Sequence, residues 1–596
     1  MTRWSRGLVA AFVAAGCGSF DGDALSPSPA RTPRRESPNQ TSLLGYNLDF
    51  PGDWTDMPPF IDLMQNSRVP EGKCSEDDPE CSGRSHLDLA PDGWPRSLRY
   101  RDDSSQSYAS IGIVISSGSH RSDFGQRFIV TWEGSGKLEV DNGQEVRSVQ
   151  GAKRISFTLQ PDATYLRLTE IDPDRRGDYL RNIRVFRADQ EQLLEQGEVF
   201  NPEMLDFLAP FHSLRFMDWM ASNEYGVCSG GQHAGDDCYA VTDDDCGGGR
   251  CVMPGHWNER PDESVPSRLS SGQYLDLKRP ELGTRVGGYP LETLVALANR
   301  VPADPHFNLP VDADDEYVKK FAETLKKNLD PRLVASVEYG NEVWNWGFPQ
   351  AEYANQKGQK LWPDEGSAWV QYAAGRTASA CRIIKQVFGG DSDRVRCLLS
   401  PQTGWRELAT KVLDCPDWAA DHPSDGPCYE AVDAVNITGY FAGCLPSNED
   451  VLSDWLQDGQ SKALDRAFQQ LEHGGLIDSC RGDDEDNLDY TIDGYGYFAK
   501  LAQARGLGLQ VYESGTHFNY EGGNSKVHDL LVEMTRDDRM YDLYMKNFDG
   551  FKSAGGEIMN VWGWVGPDDM WANADSPLDR RHPKYRAIMD FASSSR

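Results

Sequence analysis

Basic residues are scarce in this sequence. Its 596 residues hold 60 Lys and Arg against 93 Asp and Glu, a formal net charge of -33. A surface that acidic repels nucleic acid and anionic lipid, so a neutral or cationic partner is expected instead. Long apolar runs are also missing. After the first 15 residues no stretch of about 18 apolar residues occurs, so no internal membrane span is expected. Phosphate-binding glycine loops are absent too. No G-x-G-x-x-G follows the first predicted strand and no G-x-x-x-x-G-K-[ST] occurs, which excludes the usual nucleotide-binding folds. Close cysteine pairs of the zinc type are nearly absent, with only Cys246 and Cys251 near that spacing. No metal and no cofactor is expected.

The N-terminus reads as an export signal. Arg3 and Arg6 precede a short apolar run, Gly7 to Ala15, too short to cross a bilayer. It ends in Ala14-Ala15-Gly16-Cys17. That end resembles a bacterial lipobox with Ala14 where Leu is usual, and implies a lipid anchor on Cys17. An ordinary signal peptide cut nearby is the alternative. Residues 18–40, rich in Ser, Pro and Arg, read as a flexible tether. The cysteine count fits export. There are 13 cysteines; setting Cys17 aside leaves an even number, several in close pairs such as Cys74/Cys81 and Cys415/Cys428, as an oxidising compartment permits.

Residues 85–187 carry short alternating segments: Ala109–Ser116, Arg127–Trp132, Lys137–Val140, Arg154–Leu159, Tyr165–Glu170 and Ile183–Arg187. Gly, Asp and Pro punctuate them and helical periodicity is missing, which predicts an inserted antiparallel β-sandwich. It either binds glycan or buttresses its host, and an insertion with two fixed ends favours buttressing. Around it, apolar strands alternate with helical stretches: Leu43–Asp49, Leu214–Trp219, His306–Leu309, Ala335–Tyr339, Val395–Ser400, Ala434–Thr438, Leu509–Tyr512 and Glu557–Trp562. Eight such units predict an α/β fold, a closed (β/α)8 TIM barrel, made of residues 41–84 and 188–596. A loop at 227–252 spaces four cysteines C-x9-C-x7-C-x4-C and reads as pinned by two disulfides. Its acidic run, Asp243-Asp244-Asp245, reads as a solvated turn rather than a calcium site.

In a parallel barrel, reactive groups sit where strands end and loops begin. Strand four runs into Gly340-Asn341-Glu342-Val343-Trp344-Asn345, and strand seven ends Val511-Tyr512-Glu513. Glycoside hydrolysis needs two carboxyl groups flanking one bond, and strands four and seven face each other across the mouth. Trp562 and Trp564, at the end of strand eight, offer flat apolar faces to a sugar, although one of the two is expected in the core. His306 reads equally as a cleft residue or a satisfied core histidine. His517 reads as a substrate contact or an exposed loop residue. Asp49 and Trp54 are weaker cleft candidates. Glu342 and Glu513 taken singly would be ordinary surface carboxylates.

Asn-Glu at the end of strand four, with Glu at the end of strand seven, resembles the clan-A retaining (β/α)8 glycoside hydrolases, a clan of cellulases, mannanases, xylanases and arabinofuranosidases. The resemblance covers the barrel, roughly residues 41–84 and 188–590, and leaves out the sandwich and the Cys-rich loop. It implies Glu342 as general acid/base and Glu513 as nucleophile. It implies that Asn341 bonds the sugar 2-hydroxyl, that Tyr440 and Arg215 hold Glu513 ionised, and that Trp562 floors the subsite of the reacting sugar. For Arg215 the alternative is a structural ion pair with Asp218. The implied activity is double-displacement hydrolysis of a β-linked polysaccharide, endo-glucanase-like. The alternatives are an exo-acting glycosidase such as an arabinofuranosidase, and a non-catalytic carbohydrate-binding lipoprotein. The expected partner is a poly- or oligosaccharide, met outside the cell or in the periplasm.

Overall fold

The computed structural model describes residues 42–594 except 75–82, 84–85, 119, 149–150, 224–225, 230, 234–236, 239–245, 253–254, 262–272, 276–283, 287, 481–486, 564, 567–569 and 577–578. Cys17, Cys81, Asp243 to Asp245 and Trp564 lie outside the described residues.

Eight parallel strands close a barrel in chain order: Leu44–Asn47, Ser213–Arg215, Asp304–Leu309, Ala335–Tyr339, Val395–Leu399, Ala434–Phe441, Gly508–Thr516 and Ile558–Val561. Strand eight pairs back onto strand one, with Leu44 opposite Met559. All eight expected strands are present. Strand two is shorter than expected, ending at Arg215, because residues 217–223 turn instead. Helices fill the crossovers: Pro202–Leu208, Leu291–Arg300, Asp315–Asn328, Ala368–Phe388, Arg406–Asp414, Leu488–Gln503 and Arg539–Ser553, with Pro583–Ser594 after strand eight. Their ends obey local rules. Asp314 caps Asp315–Asn328 by accepting the Tyr317 N–H at 2.7 Å, and Lys326 and Lys327 sit in its last turn, opposite the dipole's negative end.

The strands alternate with period two. Phe307, Leu309, Val337, Tyr339, Val435, Ile437, Leu509 and Val511 join one buried cluster with the surrounding helices. The intervening positions are polar and buried: His306, Asn308, Ser336, Glu338, Asn436 and Gln510. The barrel is therefore apolar on its outer face and polar within, and the interior must be hydrogen-bonded to be tolerated.

Between strands one and two stands a sandwich of two four-stranded antiparallel sheets around a core that includes Ile111, Ile113, Phe128, Val130, Phe157, Leu166, Leu168 and Val185. Each of the six segments expected there contributes a strand. Its start lies earlier than residue 85, because Glu71–Lys73 pairs with Ser110–Gly112 at the sheet edge. Gln144–Ser148 is a further strand, missed because all five residues are exposed and no apolar alternation marks it. Ile61, Ile129 and Phe186 form a small buried cluster with Leu193 and Leu194. Arg187 reaches Glu203 at 2.5 Å, in the first turn of Pro202–Leu208. These contacts join the end of the sandwich to the helices that follow it.

In the Cys-rich loop, disulfides join Cys228 to Cys246 and Cys238 to Cys251. Three more join Cys381 to Cys397, Cys415 to Cys428 and Cys444 to Cys480. Cys74 is also disulfide-bonded. No described helix is long and apolar enough to cross a membrane.

Candidate active site

The polar interior converges on one guanidinium. Arg215, fully buried at the end of strand two, donates through Nη1 to Glu513 Oε1 at 2.5 Å and Asn47 Oδ1 at 3.1 Å. Through Nη2 it donates to Asn341 Oδ1 at 2.7 Å and Glu338 Oε2 at 3.2 Å. Its planar fork thus ties strands one, two, four and seven together, a task suited to a guanidinium. Its ion partners include Glu513 and Glu338. The ring of Tyr512 lies 5.1 Å below its Cζ.

Glu338 is the floor beneath this hub. Its Oε1 accepts from Ser400 Oγ at 2.6 Å, and its Oε2 accepts from Asn308 Nδ2 at 2.9 Å. Burial opposes its charge, but Arg215, the His306 hydrogen bond and Ser400 outweigh burial and hold the carboxyl at about 2. His306 is buried at 1% exposure and its Nε2 lies 3.2 Å from Glu338 Oε2. Burial lowers the imidazole pKa, and Arg215 adds to that effect. Its contact with Glu338 is therefore a neutral imidazole N–H donating to a carboxylate, with Asn560 Nδ2 at 3.4 Å from the other ring nitrogen. His306 is thus placed as a buried, hydrogen-bonded histidine. It supports Glu338 from within the barrel.

Glu342 stands above the floor. Gly340 has φ 72° and Glu342 itself φ 42°, so the chain leaves strand four through two left-handed residues. A Cβ on Gly340 would meet Val343 Cγ2 at 2.7 Å, so glycine is required there. A left-handed glutamate is strained, as active-site residues often are. The turn places Glu342 against strand seven, where Tyr512 donates to its Oε1 at 3.0 Å. Asn345 Nδ2 donates to its Oε2 at 2.8 Å. Burial, then the neighbouring Glu513, push the Glu342 carboxyl well above the usual carboxylate range, which keeps a proton on it at neutral pH.

Glu513 accepts from Arg215 on Oε1 and from Tyr440 on Oε2, the latter at 2.9 Å. Burial and the two nearby carboxylates raise the Tyr440 phenol well above its ordinary value, so it stays a donor. The Tyr440 ring stacks on His517 at 5.4 Å between centroids. Trp571 meets both rings edge-on, at 5.7 Å and 5.0 Å. Tyr440, the exposed His517 and Trp571 thus form an aromatic wall beside Glu513.

Asn341 is oriented at both ends of its amide, its Oδ1 by Arg215 and its Nδ2 by Asn223 Oδ1 at 2.9 Å. Gln350 backs this pair, donating to Asn223 Oδ1 and to the Asn341 carbonyl, each at 2.7 Å. Trp562 is partly buried at the end of strand eight, its backbone N–H donating to the Ser514 carbonyl at 2.8 Å. The structure therefore brings together Arg215, Asn341, Glu342, Tyr440, Glu513 and His517. Asn47, Asn308, Glu338, Ser400, Tyr512 and Trp571 belong to the same assembly and were not singled out from sequence. For metals, the described residues offer one cluster of suitable spacing, Cys228, Cys238 and Cys246. All three are committed to disulfides.

No protein-family model and no curated protein matches the chain. Among solved structures it is similar to a GH51 arabinofuranosidase from Xanthomonas axonopodis pv. citri, at 12% identity and a TM-score of 0.31, over 61% of this chain and 60% of that one. It is also similar to a GH5-4 broad specificity endoglucanase from Clostridium acetobutylicum, at 13% identity and a TM-score of 0.31, over 65% of this chain and 90% of that one. Xylanase 10B from Thermotoga maritima is similar at 12% identity and a TM-score of 0.26, over 52% of this chain and 81% of that one.

Proposed function

We propose that this chain is a retaining glycoside hydrolase that cleaves a β-linked polysaccharide by double displacement. One observation carries the reading. Two carboxyl groups share the barrel mouth, and their surroundings differ. Glu342 is desolvated and held in its acid form, while Glu513 is clamped by a guanidinium and a phenol. Pairs of carboxyls driven apart in this way divide into an acid and a nucleophile.

In the first step Glu513 attacks the anomeric carbon while Glu342 gives its proton to the departing glycosidic oxygen. The anomeric C–O bond breaks and an ester to Glu513 forms. Burial does most to keep the proton on Glu342 and Glu513 adds to it, so esterification of Glu513 removes one of the two influences and eases Glu342 toward acting as a base. It then takes a proton from water, whose oxygen attacks the same carbon and releases Glu513. Two inversions give net retention. Arg215 and Tyr440 fix the attacking oxygens, and Asn341 presents an amide pre-oriented beside the nucleophile.

The test is Glu513→Ala against a panel of soluble β-glucan, glucomannan, xylan, arabinan and aryl glycosides. Hydrolysis should vanish with the fold intact, and azide should restore turnover as a glycosyl azide of inverted configuration. Normal turnover by the variant would overturn the assignment.

Export is part of the same proposal. Five described disulfides suit an oxidising compartment, and a lipid on Cys17 would hold the enzyme at a membrane. Mass spectrometry of the mature N-terminus checks the lipid, and an unmodified or absent Cys17 removes it.

A further inference from the structure

The described surface exposes few large apolar side chains, and two of them are Trp346 and Trp405, at 52% and 50% exposure. Both rings lean on a third, Trp369, which is buried. Trp346 is 5.3 Å from Trp369 between centroids at an interplanar angle of 48°, and Trp405 is 6.2 Å from it at 45°. Exposed tryptophan is costly to leave in water, and a contiguous pair resting on a buried ring marks a binding surface.

Their place in the fold says what they bind. Trp346 follows strand four and Trp405 follows strand five, so both stand at the active-site end of the barrel. Trp346 is moreover tied to the acid. Asn345 donates through Nδ2 to Glu342 Oε2 at 2.8 Å and accepts the Gly347 N–H on Oδ1 at 2.9 Å. Trp346 therefore occupies the turn that one asparagine pins directly to Glu342. A general acid must sit beside the oxygen it protonates, and that oxygen departs with the leaving group. Rings on the Glu342 side of the mouth consequently face the leaving portion of the chain. The aromatic wall of Tyr440, His517 and Trp571 stands by Glu513.

We propose that Trp346 and Trp405, braced by Trp369, form a two-ring stacking track for sugar units on the leaving-group side of the scissile bond. This rests on the glycosidase reading above. The occupant is a run of pyranose rings, whose C–H faces are flat and apolar as the indoles are. The track makes the enzyme one that grips a chain beyond the bond it cuts, as an endo-acting hydrolase must.

The test compares two substrates, the best polysaccharide of the panel and a 4-nitrophenyl glycoside of the same sugar, whose leaving group is too short to reach a second ring. Trp346→Ala and Trp405→Ala should each lower kcat/KM on the polysaccharide roughly 10-fold, and the double variant roughly 100-fold. Trp405→Ala should hydrolyse the aryl glycoside within about twofold of wild type, and Trp346→Phe should recover part of the Trp346→Ala loss on the polysaccharide. Circular dichroism and Tm show that the variants fold. Equal losses on both substrates, or none on the polysaccharide, would overturn the track. So would a wild-type dimer in sedimentation that the substitutions dissociate, because a second copy would then cover the rings. Glu513→Ala run in parallel separates the two claims. A dead Glu513 variant beside unchanged Trp variants removes the track alone, whereas an active Glu513 variant, or wild type inert on every substrate, removes the glycosidase reading and the track with it.

Discussion

Tyr512 donates to Oε1 of Glu342 at 3.0 Å across 170 residues of chain. The residue beside Glu513 on strand seven therefore holds the other carboxyl of the site, so one strand touches both. Burial raises the Tyr512 phenol well above its ordinary value, which keeps it a donor throughout.

The rate should fall at alkaline pH as Glu342 loses its proton. Burial and Glu513 push that carboxyl up to about 8, so kcat/KM should decline through that region rather than near the ordinary glutamate value of about 4.3. The Tyr512 hydrogen bond favours the ionised form. Tyr512→Phe should then move the alkaline limb to higher pH, and a limb that stays put or moves down would contradict the role of that hydroxyl. The measurement is kcat/KM from pH 4 to 10 for both proteins.

The same carboxyl makes a stability prediction. A group whose pKa is raised on folding binds its proton more tightly in the native state. Its contribution is full below the unfolded value and is lost as pH rises through the folded one. Glu342→Gln, a neutral mimic, should therefore match wild type in Tm near pH 4. It should exceed wild type by about 2 °C or more above pH 8, although activity is lost throughout. A Tm difference independent of pH would show that Glu342 is not protonated by burial.

Glu338 runs the other way. Its carboxyl is held at about 2, below its unfolded value. The stability it supplies is present above pH 4.5 and drains away as pH falls toward 2. Glu338→Gln should cost about 3–5 kcal/mol at pH 7, because Arg215 loses one of two buried anions. The penalty should shrink as pH drops through that window, which urea unfolding at pH 7 and pH 3 would reveal.

The barrel was readable because its outer positions are apolar. Val337, Phe307 and Ile437 pack on helices, and that packing imposes the short runs seen in the sequence. The segment closing strand four stood out because Asn341 and Glu342 fall where a barrel strand ends and its loop begins. The inner partners were not. Glu338, Asn308 and Tyr512 appear in the sequence as polar alternates inside strands. Their meaning depends on which strand faces which, and Arg215 meets Glu338 and Glu513 across 123 and 298 residues. His306 was undecided from sequence because a polar barrel interior makes a buried histidine and a cleft histidine look alike. Trp571 lies in a loop with no periodicity to place it.

Arg215→Lys is the sharpest probe of the hub. Lysine keeps the charge but offers one compact ammonium in place of a planar fork. It cannot serve Glu513, Glu338, Asn341 and Asn47 at once, as Arg215 does. If the guanidinium were needed only to neutralise buried carboxylates, lysine would restore most activity and the loss would appear in Tm alone. If it positions Glu513 and Asn341 against the reacting carbon, the variant should fold with a modest drop in Tm. It should then lose about 2–4 kcal/mol of transition-state stabilisation, roughly 30- to 1000-fold in kcat/KM. Measuring kcat/KM and Tm together separates the two roles, and the four-way hydrogen bonding favours positioning.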